Sequence, residues 1–101
     1  MKKNFIIYGA YGYTGTLITE LAVSKGLKPL LVGRSDQKLS ALANLHGLSY
    51  KVLDIQNLKE LDSVIDNYAL ILNCAGPFSE TAHQVIQYCL DKNLHYTDIT
   101  G

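Results

Sequence analysis

Apolar and polar positions along the chain switch between two periods. Short β-branched or aliphatic runs recur at Phe5 to Tyr8, Leu30 to Val32, Tyr50 to Leu53, Leu70 to Asn73 and Tyr96 to Ile99, each of strand length. Between them the apolar residues return at helical spacing. Leu17, Ile18, Leu21 and Ala22 share one face, as do Leu39, Leu42 and Leu45, then Leu58, Leu61, Val64 and Ile65, then Val85, Ile86, Cys89 and Leu90. The pattern predicts five strands and four helices in strict alternation. Start and stop residues agree with it: Gly26 follows the first helix, Ser35 is placed to cap the second, Gly47 ends it, and Asn93 suits a left-handed turn after the fourth. Strict alternation implies parallel strands joined by right-handed crossovers with helices on both faces, so the fold class is α/β, a doubly wound Rossmann-type sheet of expected order 3-2-1-4-5.

Composition narrows this picture without altering it. The chain has 101 residues, 48% of them hydrophobic, with nine Lys+Arg against nine Asp+Glu, which suits a single domain over 1–101 and provides no net field for nucleic acid or an anionic membrane. Aromatic and basic residues are not interleaved as single-stranded nucleic acid would require. The apolar run before Gly9 is too short for a leader or a membrane span, and a cytoplasmic protein is the resulting expectation. Cys74 and Cys89 lack CxxC spacing, and His46, His83 and His95 fall on different elements, so reduced thiols and no metal site are expected. Tyr68, Tyr88 and Tyr96 read most simply as packing aromatics. A complete dinucleotide fold has six strands, whereas this pattern stops at Thr100-Gly101 after the fifth. The chain is therefore expected to be the N-terminal cofactor module of a longer protein whose small-molecule substrate is bound mainly elsewhere. Apolar surface left exposed would favour a homodimer.

Candidate chemistry gathers where the strands end. After the first strand, Gly9, Gly12 and Gly15 recur every third residue in Gly9-Ala10-Tyr11-Gly12-Tyr13-Thr14-Gly15 and lead directly into the first helix. A side chain at the tight turn or beside a pyrophosphate would hold the backbone away from the phosphates, and one at the third glycine would push the helix off the strand. The helix N-terminus then offers free N–H groups, with Tyr13 and Thr14 supplying backbone donors and the Thr14 hydroxyl another. Taken alone the motif also fits a junction whose glycines serve only packing, and Tyr11 fits a surface aromatic equally well.

The tip of the second strand selects the cofactor. An acid there accepts from the ribose 2′-OH of NAD, and an arginine accommodates the 2′-phosphate of NADP. Here Val32-Gly33-Arg34-Ser35 carries no acid, and Asp36 suits the first turn of a helix. Arg34 is expected to grip the phosphate and Ser35 to donate from its hydroxyl or N–H, which favours NADP over NAD. Asp54, ending the third strand, has two readings: a neighbour of adenine, or a cap ahead of Asn57. After the fourth strand, Ala75 and Gly76 permit close backbone approach to the cofactor, and Pro77 stiffens it.

With these residues in place, the chain resembles the N-terminal NAD(P)-binding domain of the saccharopine dehydrogenase-like family. The resemblance rests on Gly9 to Gly15, on Val32-Gly33-Arg34, and on Asn73-Cys74-Ala75-Gly76-Pro77-Phe78 together with His95-Tyr96-Thr97-Asp98-Ile99-Thr100-Gly101. Tyr11 departs from the small hydroxyl residue of the family pattern. The resemblance implies an NAD(P)-linked oxidoreductase acting on a C–N bond or on another substrate class such as an enoyl group, with the closing segment directed to the nicotinamide side. Two rivals stand beside it. A short-chain dehydrogenase is suggested by Asn73-Cys74-Ala75-Gly76 and by the Tyr-x-x-x-Lys spacing of Tyr88 and Lys92, although that pair lies on the helix directly after the fourth strand, too early for the catalytic pair. A non-catalytic redox sensor that binds NADP(H) to regulate a partner is the other.

Overall fold

A computed structural model describes residues 4–99. Strand β1 (Asn4–Tyr8) leads into α1 (Tyr13–Ser24), β2 (Leu30–Gly33), α2 (Asp36–His46) and β3 (Tyr50–Val52). Two 3-10 segments, Ile55–Leu61 and Ile65–Asn67, carry the chain to β4 (Tyr68–Asn73), α3 (Phe78–Lys92) and β5 (His95–Asp98). The sheet runs β3-β2-β1-β4-β5 and every neighbouring pair is parallel, with Ile7 opposite both Leu31 and Leu72. The expected topology is therefore the observed one. Thr100 and Gly101, assigned above to the closing segment, lie outside the described residues.

Successive strand residues point to opposite faces, and each face has its own core. Ile6, Leu30, Val32 and Ile71 pack with Leu58, Leu61, Val85 and Cys89 on one side; Ile7, Ala10 and Leu31 pack with Leu39, Leu42 and Ala43 on the other. Because both faces are covered, the strands carry near-continuous apolar runs instead of alternating ones.

The helical faces match the expected ones at Ala22, Leu39, Leu42, Val85 and Cys89, which are buried, and depart from them elsewhere. In α1 the buried residues are Gly15, Thr19 and Ala22, whereas Leu17 and Leu21 stand exposed. Close approach is the cause, because a Cβ at Gly15 would lie 2.6 Å from the Ala10 carbonyl oxygen and 2.7 Å from that of Gly9. Only small residues fit a helix seated that near the strand. Thr19 satisfies its buried hydroxyl by donating to the Gly15 carbonyl at 2.8 Å. Leu45, Ile86 and Leu90 are likewise exposed, and α3 buries Val85, Tyr88 and Cys89. The crossover expected as one amphipathic helix through Leu58, Leu61, Val64 and Ile65 is helical but wound as 3-10 turns, broken at Asn57 with φ −120° and ψ 34°. Leu58, Leu61 and Ile65 nevertheless reach the core. The boundary residues act as expected. The Ser35 side chain accepts the Lys38 N–H at 3.3 Å, and Gly47 and Asn93 take left-handed φ of 66° and 58°.

Candidate functional site

Parallel strands deliver their C-terminal ends to one edge, and the loops after β1, β2 and β4 enclose a cavity there of about 240 Å³, lined by Tyr8, Gly9, Tyr11, Gly12, Gly33, Arg34, Cys74, Ala75 and Gly76. A second hollow of about 170 Å³ shares Tyr8, Arg34, Ala75 and Gly76 with it and continues past Pro77 to Glu80 and Thr81. Of the residues expected to bind cofactor, Gly9, Gly12, Arg34, Ala75 and Gly76 thus meet around one cavity, with Pro77 bordering its extension.

The three glycines of the turn do three different things. Gly9 has φ +78°, and a Cβ there would lie 2.7 Å from the Cβ and N of Ala75, so the turn packs against the loop after β4 with no room for a side chain. Gly15 serves helix packing, as described. At Gly12 a Cβ would meet only the Gly9 carbonyl, at 3.7 Å, and at Gly76 nothing within 4 Å, so side chains at these two positions would stand in open space at the cavity wall. That cradle is the shape a backbone-bound pyrophosphate needs. Behind it, α1 starts at Tyr13, its first bond running from the Thr16 N–H to the Gly12 carbonyl at 2.8 Å, so the N–H groups of its opening turn remain for a ligand. Tyr13 is 83% exposed and its side chain contributes nothing to the cavity wall, while Thr14 is half-buried.

Among the described residues, Arg34 is the charged one lining the cavity, and none of them brings a carboxylate to its wall. Ser35 caps α2 through its oxygen, leaving its hydroxyl proton available. Asp54 follows the capping reading, accepting the Gln56 N–H at 3.0 Å, and does not line the cavity. Tyr11 is not a surface aromatic. Its ring rests against Gly33, where a Cβ would lie 2.8 Å from Cε1, and Lys38 Nζ stands 5.5 Å from the ring centroid.

Tyr8 escaped the sequence reading because it sits in an apolar strand run. As the last residue of β1 it borders both hollows. Burial pushes its hydroxyl pKa up, the Asp54 carboxylate adds to that, and Arg34 opposes it. Its position immediately before the glycine turn was the available signal. Cys74 belongs to the cavity wall as well as to the packed core, and burial raises both thiols, Cys74 and Cys89, to about 11, so neither is a thiolate near neutrality. Tyr88 and Lys92 lie at the far end of α3 and meet at Asp62: the Tyr88 hydroxyl donates to Oδ1 at 2.8 Å and Lys92 Nζ lies 3.3 Å from it. This engaged pair is remote from the cavity edge and does not form a short-chain dehydrogenase catalytic centre.

A doubly wound parallel sheet with a glycine cradle at its carboxyl edge defines a Rossmann-type nucleotide-binding domain. The chain belongs to the saccharopine dehydrogenase NADP binding domain family, whose model matches residues 5–101. It is 26% identical to the human saccharopine dehydrogenase-like oxidoreductase over 97% of this chain and 27% of that protein. It is 32% identical to a probable mitochondrial saccharopine dehydrogenase-like oxidoreductase of Arabidopsis thaliana, over 97% of this chain and 25% of that protein. A lipid droplet localized protein of Caenorhabditis elegans is 26% identical over 99% of this chain and 26% of that protein. The chain spans about a quarter of the length of these relatives. Among solved structures, saccharopine dehydrogenase (L-Glu forming) of Saccharomyces cerevisiae superposes with TM-score 0.80 at 16% identity, covering 95% of this chain and 21% of that one. A short-chain dehydrogenase/reductase of Vibrio parahaemolyticus gives 0.77 at 19%, covering 93% and 59%. Both share the fold.

The relatives' names overturn the cytoplasmic expectation, since one is named a probable mitochondrial protein and another a lipid droplet localized protein. That expectation rested on the apolar run before Gly9 being short. Run length bears on membrane spanning and is silent on cellular address.

Proposed function

We propose that this chain is the NADP(H)-holding module of an oxidoreductase that transfers hydride, with Arg34 selecting the 2′-phosphate. The observation that carries this reading is the cavity beside the glycine cradle, whose wall, among the described residues, has an arginine and no carboxylate. Gly9 and Gly12, with the opening N–H groups of Tyr13, Thr14 and Gly15, hold the pyrophosphate. Arg34 and Ser35 hold the 2′-phosphate, and Ala75, Gly76 and Pro77 form the wall toward the nicotinamide ribose. When bound, the nicotinamide supplies the hydride chemistry. The residues described here bind and orient; the substrate and the groups that act on it belong to the rest of the longer protein that its relatives exemplify.

Arg34→Ala tests the assignment. A charge-assisted contact to phosphate is worth about 1.5–3 kcal/mol, so NADPH affinity falls by about one to two orders of magnitude while NADH affinity stays unchanged. Equal losses for both cofactors, or none for NADPH, contradict it.

A further inference from the structure

We propose that Asn73 is a positioning residue that fixes the two loops facing the cofactor against one another, with Thr81 and Tyr96 as its braces; the inference rests on the cofactor reading above and extends it to residues outside the phosphate cradle. Asn73 is the last residue of β4 and is fully buried. Its amide nitrogen donates to the Thr81 hydroxyl at 3.1 Å and to the Tyr96 hydroxyl at 3.3 Å. Its amide oxygen accepts the Ala75 N–H at 3.0 Å.

The direction of each bond follows from its neighbours. Thr81 places its single proton on the Ala75 carbonyl at 2.7 Å and Tyr96 places its own on Asp98 at 2.7 Å, so both hydroxyls are left to accept from Asn73. Turning the Asn73 amide over would set its NH2 against the Ala75 N–H, donor against donor. One orientation therefore satisfies every partner.

Ala75 is the point of this arrangement. Its N–H is held by Asn73 and its carbonyl by Thr81, which fixes the peptide units on both sides of it. Gly9 in turn lies directly against Ala75, as its missing Cβ shows: an added one would fall within 2.7–2.8 Å of the Ala75 Cβ, N and Cα. The glycine turn and the loop after β4 thus share one contact, and a single buried amide on β4, braced from α3 and β5, sets its geometry. Loss of a brace releases Ala75, and through it Gly9, without removing any group that lines the phosphate cradle.

Thr81→Val keeps the shape and removes the hydroxyl, Thr81→Ser restores the hydroxyl, and Tyr96→Phe removes the other acceptor. Two readouts apply: the 15N–1H spectrum of this chain without ligand, and its NADPH affinity by calorimetry. In Thr81→Val and Tyr96→Phe the Ala75 and Gly9 amide resonances move, and NADPH binding weakens by about tenfold, the scale of one buried hydrogen bond. Thr81→Ser returns both to the wild-type values, which a general loss of stability would not do. Ala75 and Gly9 resonances that superpose on wild type in both hydroxyl-deleted variants overturn the proposal, as does an unchanged NADPH affinity. If the parent chain fails to bind NADPH while the two resonances still respond, the cofactor reading falls and the brace stands.

Discussion

The absence of a side chain at Gly33 makes room for the Tyr11 ring. Gly33 shows no left-handed φ, so alanine there fits the backbone; its Cβ would be crowded by the Tyr11 ring, 2.8 Å away at Cε1, and would make ordinary contact with Leu39 Cδ1 at 3.5 Å. Overpacking of this kind costs about 1–3 kcal/mol. Urea denaturation of Gly33→Ala should show that loss, and in a Tyr11→Ser background the same substitution should be nearly free. An identical cost in both backgrounds would mean the ring is not what Gly33 accommodates. Gly15→Ala offers the contrast, because its Cβ would meet backbone carbonyl oxygens 2.6–2.7 Å away, which cannot step aside as a ring can. It should be more destabilising than Gly33→Ala and unaffected by Tyr11→Ser.

At the level of elements, the strands and their order were legible because parallel strands with right-handed crossovers leave few topologies open to an alternating pattern. The helix faces were less so. Hydropathy favoured Leu17 and Leu21 beside Ala22, whereas the close seat of α1 leaves both leucines exposed and buries Gly15 and Thr19 with Ala22. The network around Asn73 was invisible, since its partners lie 8 and 23 residues away and no local period records such contacts. The glycine cradle and Arg34 were readable because their chemistry is local to a strand end. The 3-10 crossover is tied to α3 through Asp62, whose carboxyl pKa is held below its ordinary value chiefly by the Tyr88 hydrogen bond and further by Lys92. A depressed carboxyl stabilises the fold above its unfolded pKa, and that contribution is lost as pH falls through the folded value. Melting temperatures recorded across the acid range should therefore fall less steeply for Asp62→Asn than for the parent chain. Parallel acid limbs would show that the contact is inconsequential.

Across the whole molecule, two thiols raised from 9.0 to about 11 by burial have the opposite sign. The folded chain keeps protons that the unfolded chain releases, so this contribution is intact below pH 9 and is lost as pH rises toward 11. Cys74 and Cys89 should accordingly alkylate slowly in the folded chain at neutral pH and rapidly in denaturant; equal rates in both states would contradict their burial. The loops at the carboxyl edge present a cavity whose wall, among the described residues, carries Arg34 and no carboxylate, and this surface is expected to distinguish a 2′-phosphate from a 2′-hydroxyl. Calorimetric titration of this chain with NADPH and with NADH, at one fixed ionic strength, tests it most directly. NADPH should bind tighter than NADH by at least about tenfold, from the added arginine–phosphate contact. Equal affinity for the two, or a preference for NADH, would contradict it.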